Sequence, residues 1–198
     1  YVGKSNFYAF EMINKWPKWE KNLLNINGEK FSGKTHLVNI FLKKFNGIRI
    51  DVNSLNDENL KSIKPYQNIV LEDLNLDINE KLIYSLFNII DQDNKFLIIT
   101  STKPISEINF QLKDLRSRTK NCLFTNIQKP DDELMFALIL KNLSDRQITL
   151  DKKLIDFIIK RIERSYGKIF EFIYKIDKIS LKKKKSIDFK IIKEALEE

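Results

Sequence analysis

Residues 28–35 read GEKFSGKT and satisfy the pattern G-x-x-x-x-G-K-[ST] at every position. A loop of that kind turns successive backbone N–H groups, and the N-terminus of the helix behind it, toward phosphate oxygens, so it needs residues that let the main chain come close. Gly28 and Gly33 meet that need, and Glu29, Lys30, Phe31 and Ser32 form the arc between them. Lys34 would reach the β- and γ-phosphates, the Thr35 hydroxyl would hold Mg²⁺, and His36 follows in the first helical turn. The expected ligand is ADP or ATP with Mg²⁺. An ordinary strand-to-helix turn is the competing explanation, but the chain has only five glycines and two of them fall on the fixed positions of the pattern.

Such a site also needs an apolar strand that ends in carboxylates, so that a metal and an attacking water can be held beside the phosphates. Residues 68–73, NIVLED, supply Glu72 and Asp73, one for Mg²⁺ and the other for the water, with the division of roles open and an acidic helix start as the alternative. Thr100, Ser101 and Thr102 close another apolar run, where one hydroxyl could sense a γ-phosphate or the three could simply form a turn before Pro104. Arg116 and Arg118 in LKDLRSR could each complete a neighbouring subunit's site as an arginine finger, with a surface ion pair as the plain alternative. Lys168, after Gly167, could fold a positive charge onto bound phosphates or point to solvent.

A sheet is needed to position these groups. Short apolar runs at residues 23–27, 47–52, 68–71, 96–100 and 123–127 alternate with helical patterns, which predicts an α/β fold with a five-stranded parallel sheet covered on both faces. A leading helix is expected over residues 6–16, and further helices over 34–45 and 80–91, the last with Leu82, Ile83, Leu86, Phe87 and Ile90 at helical spacing. After Pro130 no strand pattern follows. Helical segments at 131–143, 151–162 and 169–181 and a last helix at 189–196, capped by Asp188, predict a small α-helical lid, giving a nucleotide-binding domain at 1–129 and a lid domain at 130–198.

Composition narrows the class. Hydrophobic residues make up 42% and charged residues 31%, and no apolar run has the length of a bilayer span. The first residues lack the pattern of a secretory signal, so a cytoplasmic location is expected. One cysteine, Cys122, and one histidine exclude an intrachain disulfide, a thiolate zinc site and a histidine-rich metal site. The formal charge of +8 suits acidic partners, but the run Lys182 to Lys185 is accounted for by a solvated face, so charge alone does not argue for DNA binding.

This combination resembles the AAA+ proteins and, within them, the DnaA-related family, most of all its shorter Hda type from α-proteobacteria. The opening YVGKSN looks like the family's F-V-x-G-x-S-N, which lines the adenine pocket and adds Tyr1 and Val2 to the nucleotide-binding set; Trp16, Pro17 and Trp19 in INKWPKWE look like the Hda-type lead-in. Residues 115–118, LRSR, match the family's L-x-S-R box, so the resemblance gives the finger role to Arg118 rather than Arg116. Sensor 1 falls on Thr102, where Asp is usual, sensor 2 on Lys168, where Arg is usual, and the family's Asp-Asp pair on Glu72 and Asp73. These departures imply weak or absent intrinsic ATP hydrolysis. The resemblance implies a regulator of chromosome replication initiation that stimulates hydrolysis of ATP bound to the initiator DnaA, with Arg118 acting in trans and the polymerase sliding clamp as a further partner. Two features favour the Hda type over an initiator: only residues 53–67 separate the second strand from NIVLED, and the sequence ends after the lid rather than in a helix-turn-helix. The Q-x-x-L-like clamp-binding peptide of the Hda type is not visible, so the clamp is expected from the family alone. Self-association is left open, direct DNA binding is expected to be weak or indirect, and the alternative is a DNA-binding initiator-like or helicase-loader-like ATPase.

Overall fold

The apolar runs form one parallel sheet of five strands, β1 (Leu23–Asn27), β2 (Ile48–Asp51), β3 (Asn68–Leu74), β4 (Phe96–Ser101) and β5 (Leu123–Asn126), in the order β2-β3-β4-β1-β5. The computed structural model describes residues 2–74 and 78–197. All residues of the interior strand β1 are buried, as both faces of a parallel sheet demand, whereas the edge strands β2 and β5 expose alternate residues such as Arg49 and Phe124. β3 runs three residues beyond the expected end. Its pairing with β4 slips between Leu71 and Leu74, a bulge that puts Asp73 at φ +56° and keeps Glu72 and Asp73 inside the strand rather than at a helix start.

Helices α1 (Phe7–Asn14), α2 (Lys34–Phe45), α3 (Asp57–Ser62), α4 (Glu80–Gln92) and α5 (Lys113–Lys120) cover this sheet. One core joins Ile69, Leu71, Leu97 and Ile99 to Ile83, Leu86, Phe87, Ile90 and Leu115, while the alternate strand residues Leu24, Ile26, Val70 and Ile98 are buried as well, so both faces are covered. An aromatic cluster fastens α1 and the segment after it. Trp19 stacks on Phe41 at 5.9 Å with 15° between planes and meets Phe96 edge-on at 5.8 Å, and Trp16 packs on Phe45 at 4.5 Å. The Trp19 indole N–H donates to the Met12 carbonyl at 2.7 Å, so the polar end of the ring is satisfied where its body is buried.

The chain divides into two compact units, one of residues 6–128 with Val2, the other of residues from Lys129 onward with Gly3–Ser5. The second unit holds α6 (Asp132–Ser144), α7 (Lys152–Ile159), α8 (Tyr166–Lys183) and α9 (Phe189–Glu197) around Met135, Ile139, Leu143, Ile155, Ile158, Ile173, Ile176 and Ile192. Its helix starts are each capped by a side chain: Asp131 accepts from Leu134 N at 2.9 Å, Asp151 from Lys153 N at 3.1 Å, Ser165 from Lys168 N at 3.3 Å and Asp188 from Ile191 N at 2.9 Å. The Ser165 cap starts α8 three residues before the expected position, and Lys182 and Lys183 in its last turn place positive charge at the negative end of the helix dipole. Among the described residues, no helix is long and apolar enough to cross a membrane.

Replacing Trp19 with Ala removes the stacked ring and its hydrogen bond. Urea unfolding of the variant should show a loss of about 3–5 kcal/mol, the range for large aromatic truncations in cores.

Candidate functional site

The loop of residues 28–33 leaves the C-terminal end of β1 and enters α2 directly. Its two glycines are required for different reasons. A Cβ on Gly28 would lie 2.8 Å from Ser32 Oγ and 3.1 Å from Ile127 Cβ, so both neighbours would have to shift, while Gly33 has nothing within 4 Å but sits at φ +95°, a conformation that favours glycine. Phe31 also takes a left-handed conformation, φ +66°, with its ring exposed. The Ser32 hydroxyl is buried and has no hydrogen-bond partner, which leaves an unsatisfied polar atom inside the curl of the loop. The loop fits a phosphate: it is glycine-hinged, helix-backed and holds one buried hydroxyl without a hydrogen-bond partner.

Lys34 is buried, and its Nζ donates to the carbonyls of Gly28 and Glu29, each at 2.9 Å. Burial lowers its pKa from the ordinary 10.5, with Asp73 the largest opposing influence, ahead of Glu29 and Glu72. The protonated form is therefore disfavoured by folding. Its unfavourable contribution is present at neutral pH and is relieved only as pH climbs through the lowered value toward 10.5, or when an anion arrives to face the ammonium. Thr35 and His36 are exposed in the first turn of α2.

The two carboxylates of β3 stand in different surroundings. Glu72 is buried and ion-paired, its Oε2 3.0 Å from Arg49 Nε on β2, and its Oε1 has no partner. Asp73 is exposed on the bulge, its backbone N–H donating to Thr100 Oγ1 at 2.9 Å. Among the described residues no group of three His, Cys, Asp or Glu could hold a metal alone, so a Mg²⁺ here would depend on phosphate oxygens together with Thr35 and the carboxylates.

The hydroxyls after β4 are similarly divided. Thr100 holds Asp73, Ser101 donates to the Lys103 carbonyl at 2.6 Å, and Thr102 is exposed with a side chain that makes no hydrogen bond to the described residues. Asn25, in the middle of β1, is a member that motif reading missed. It is fully buried, donates to Ile99 O at 3.1 Å and Ser101 Oγ at 2.9 Å, and accepts from Ile105 N at 3.0 Å, while Gly28 N donates to Ser101 O at 3.1 Å. The sequence signal was an amide amid apolar strand residues, LLNIN.

The structure thus brings residues 28–36, Glu72, Asp73 and Thr102 to the C-terminal edge of the sheet. Arg118 lies at the other edge, on α5 just before β5, beside a cavity of about 440 Å³ lined by Asn22, Leu23, Asn94 and Leu97 at the strand starts. Five strand residues, roughly 16 Å, separate the two edges, more than an arginine side chain spans. Its guanidinium NH1 is 2.9 Å from Asp91 Oδ2 and lies over the Tyr84 ring, 5.5 Å from the centroid, and Asp91 Oδ1 accepts from Asn22 at 2.9 Å. Lys168 is exposed on α8, where a 2.8 Å hydrogen bond to Glu171 raises its pKa. Val2 is exposed, Arg116 is half-buried, and Tyr1 lies outside the described residues.

Fold and site define a P-loop module of the AAA+ class with a helical lid. Residues 131–196 match the family model described as "Hda, lid domain". The chain is 26% identical to the chromosomal replication initiator protein DnaA of Thermoanaerobacter sp. over 223 aligned residues, covering 100% of this chain and 50% of that protein. It superposes on domain III of Thermotoga maritima DnaA with a TM-score of 0.76 at 20% identity, covering 99% of this chain and 92% of that one. With AMPPCP-bound DnaA from Aquifex aeolicus the TM-score is 0.70 at 20% identity, over 89% and 63% of the two chains. The chain thus has the fold of an AAA+ module, its residues 131–196 match the Hda lid family, and over its length it is similar to DnaA proteins, spanning about half or less of the length of the curated relatives it matches.

Lys34→Ala removes the ammonium without touching the sheet. Calorimetric titration with ADP should show at least a hundredfold loss of affinity, on the order of 2.7 kcal/mol, while the thermal midpoint without nucleotide stays near the parent's.

Proposed function

We propose that this chain is a nucleotide-holding regulator of chromosome replication initiation. It binds ADP or ATP, with Mg²⁺, at residues 28–36, and it presents Arg118 to ATP bound by the initiator DnaA, in the cytoplasm and with the DNA-loaded sliding clamp as the assembly's third member. The observation that carries this reading is the placement of Arg118 at the sheet edge opposite its own phosphate loop. A guanidinium so placed is out of reach of the nucleotide of its own chain, and it would meet that of a neighbour by exchanging its ion pair with Asp91 for phosphate oxygens. The similarity to AMPPCP-bound DnaA supports an adenine nucleotide, and the lid match supports the Hda type.

In that role the finger neutralises charge developing on the transferred phosphoryl group. Lys34 and the N–H groups of the loop hold the chain's own nucleotide, and Thr35 with Asp73 would hold the metal. Before that encounter Asp91 pairs with the guanidinium and the Tyr84 ring lies against it.

ATP turnover by purified DnaA, measured with loaded clamp, should rise on adding this protein. Arg118→Ala should remove the stimulation, by a factor within the roughly 10³–10⁵ such residues supply, and leave ADP binding by this chain unchanged. Turnover that does not respond to the parent protein counts against the proposal.

A further inference from the structure

Glu72 occupies the strand position from which a carboxylate would meet a nucleotide-bound metal, yet half of it is already engaged. Arg49 Nε stands 3.0 Å from Oε2, and the other end of the same guanidinium is fixed, NH2 donating to Asn39 Oδ1 on α2. The cation is therefore braced from two elements rather than dangling from an edge strand. The Glu72 side chain is 9% exposed and the Arg49 side chain 37%, so the negative member lies inside and the positive member covers it from solvent. Oε1 alone is left without a partner.

Mg²⁺ keeps most of its waters and is usually bound through one or two carboxylates together with substrate phosphates. A carboxylate with one oxygen already held by a contacting guanidinium is less free to turn toward the metal. Next to Glu72 on the bulge, Asp73 is exposed and makes no ion pair with the described residues, and it acts on Lys34 more strongly than Glu72 does. The phosphates in turn have a buried ammonium waiting for them in Lys34.

We propose that Arg49 is a positioning residue that occupies Glu72 and makes adenine-nucleotide binding by this chain nearly independent of Mg²⁺. The inference rests on the reading of residues 28–36 as a nucleotide site and adds to it a reason for holding nucleotide without turning it over. The metal that would activate a water is weakly recruited, and the carboxylate beside it is held by another partner.

The test is equilibrium titration of the purified protein with a fluorescent ADP analogue, in parallel in excess Mg²⁺ and in EDTA. The parent affinities should agree within about threefold, less than ~0.7 kcal/mol. Arg49→Gln frees Glu72 and should make binding at least about tenfold tighter with Mg²⁺ than without, and Arg49→Lys, which keeps the charge, should return the ratio toward the parent's. Arg49→Gln combined with Glu72→Gln leaves a neutral pair of similar shape and should lose the gain. Asn39→Ala, at an exposed position, removes only the brace and should move the ratio in the same direction by about threefold, so the idea stays testable should Arg49→Gln fail to fold. A parent that binds only with Mg²⁺, an unchanged ratio in the folded Arg49→Gln and Asn39→Ala variants, or a gain that survives in the double variant overturns the assignment to Arg49. Absence of binding by the parent in both conditions overturns the nucleotide site itself.

Discussion

The amide of Asn25 is the constraint on which the phosphate-binding edge depends. It is fully buried in β1, and each of its hydrogen bonds goes to β4 or the turn after it. Leaving such a group unpaired would cost about 1–3 kcal/mol per lost partner, so the end of β4 has one acceptable position against β1. From that position Ser101 accepts from Gly28 at the start of the loop, and Thr100 accepts from Asp73 on the bulge. The loop, the carboxylate strand and the hydroxyl turn are thus held to one another before any ligand is present.

The same edge carries unmet electrostatic demand. A buried ammonium rests on two carbonyls, a buried hydroxyl has no partner, and a buried carboxylate has one oxygen paired and one not. Desolvated polar groups of this kind are tolerated only where the surroundings fix them, and here the fixing is done by the parallel sheet and its network rather than by local propensity. Phe31 adds to the strain, because a non-glycine residue in the left-handed region costs about 1–2 kcal/mol.

Much of this architecture was legible in the sequence because its physics is local. An all-parallel sheet buries both faces, so β1, β3 and β4 read as short apolar runs, and the helix-start cap at Asp188 reads from residue type. The bulge in β3 did not, since it arises from pairing with β4 and from Thr100, 27 residues away. Nor did the contact of Arg49 with Glu72, which exists only because β2 lies beside β3 in one register, or that of Arg118 with Asp91, which joins two helices. Ser165 could have been read as a cap, yet the apolar spacing beyond Gly167 drew the expected start of α8 inward.

The opposite placement of the phosphate loop and Arg118 gives the sheet unit a direction. An interface that brought the Arg118 edge of one subunit to the loop edge of another would join unlike surfaces, so it could not be the self-matched contact of a two-fold dimer. Where the row does not close into a ring, one loop edge and one arginine edge stay uncovered at its ends. A subunit added at one end meets a different surface from one added at the other, and the geometry therefore distinguishes a first member from a last.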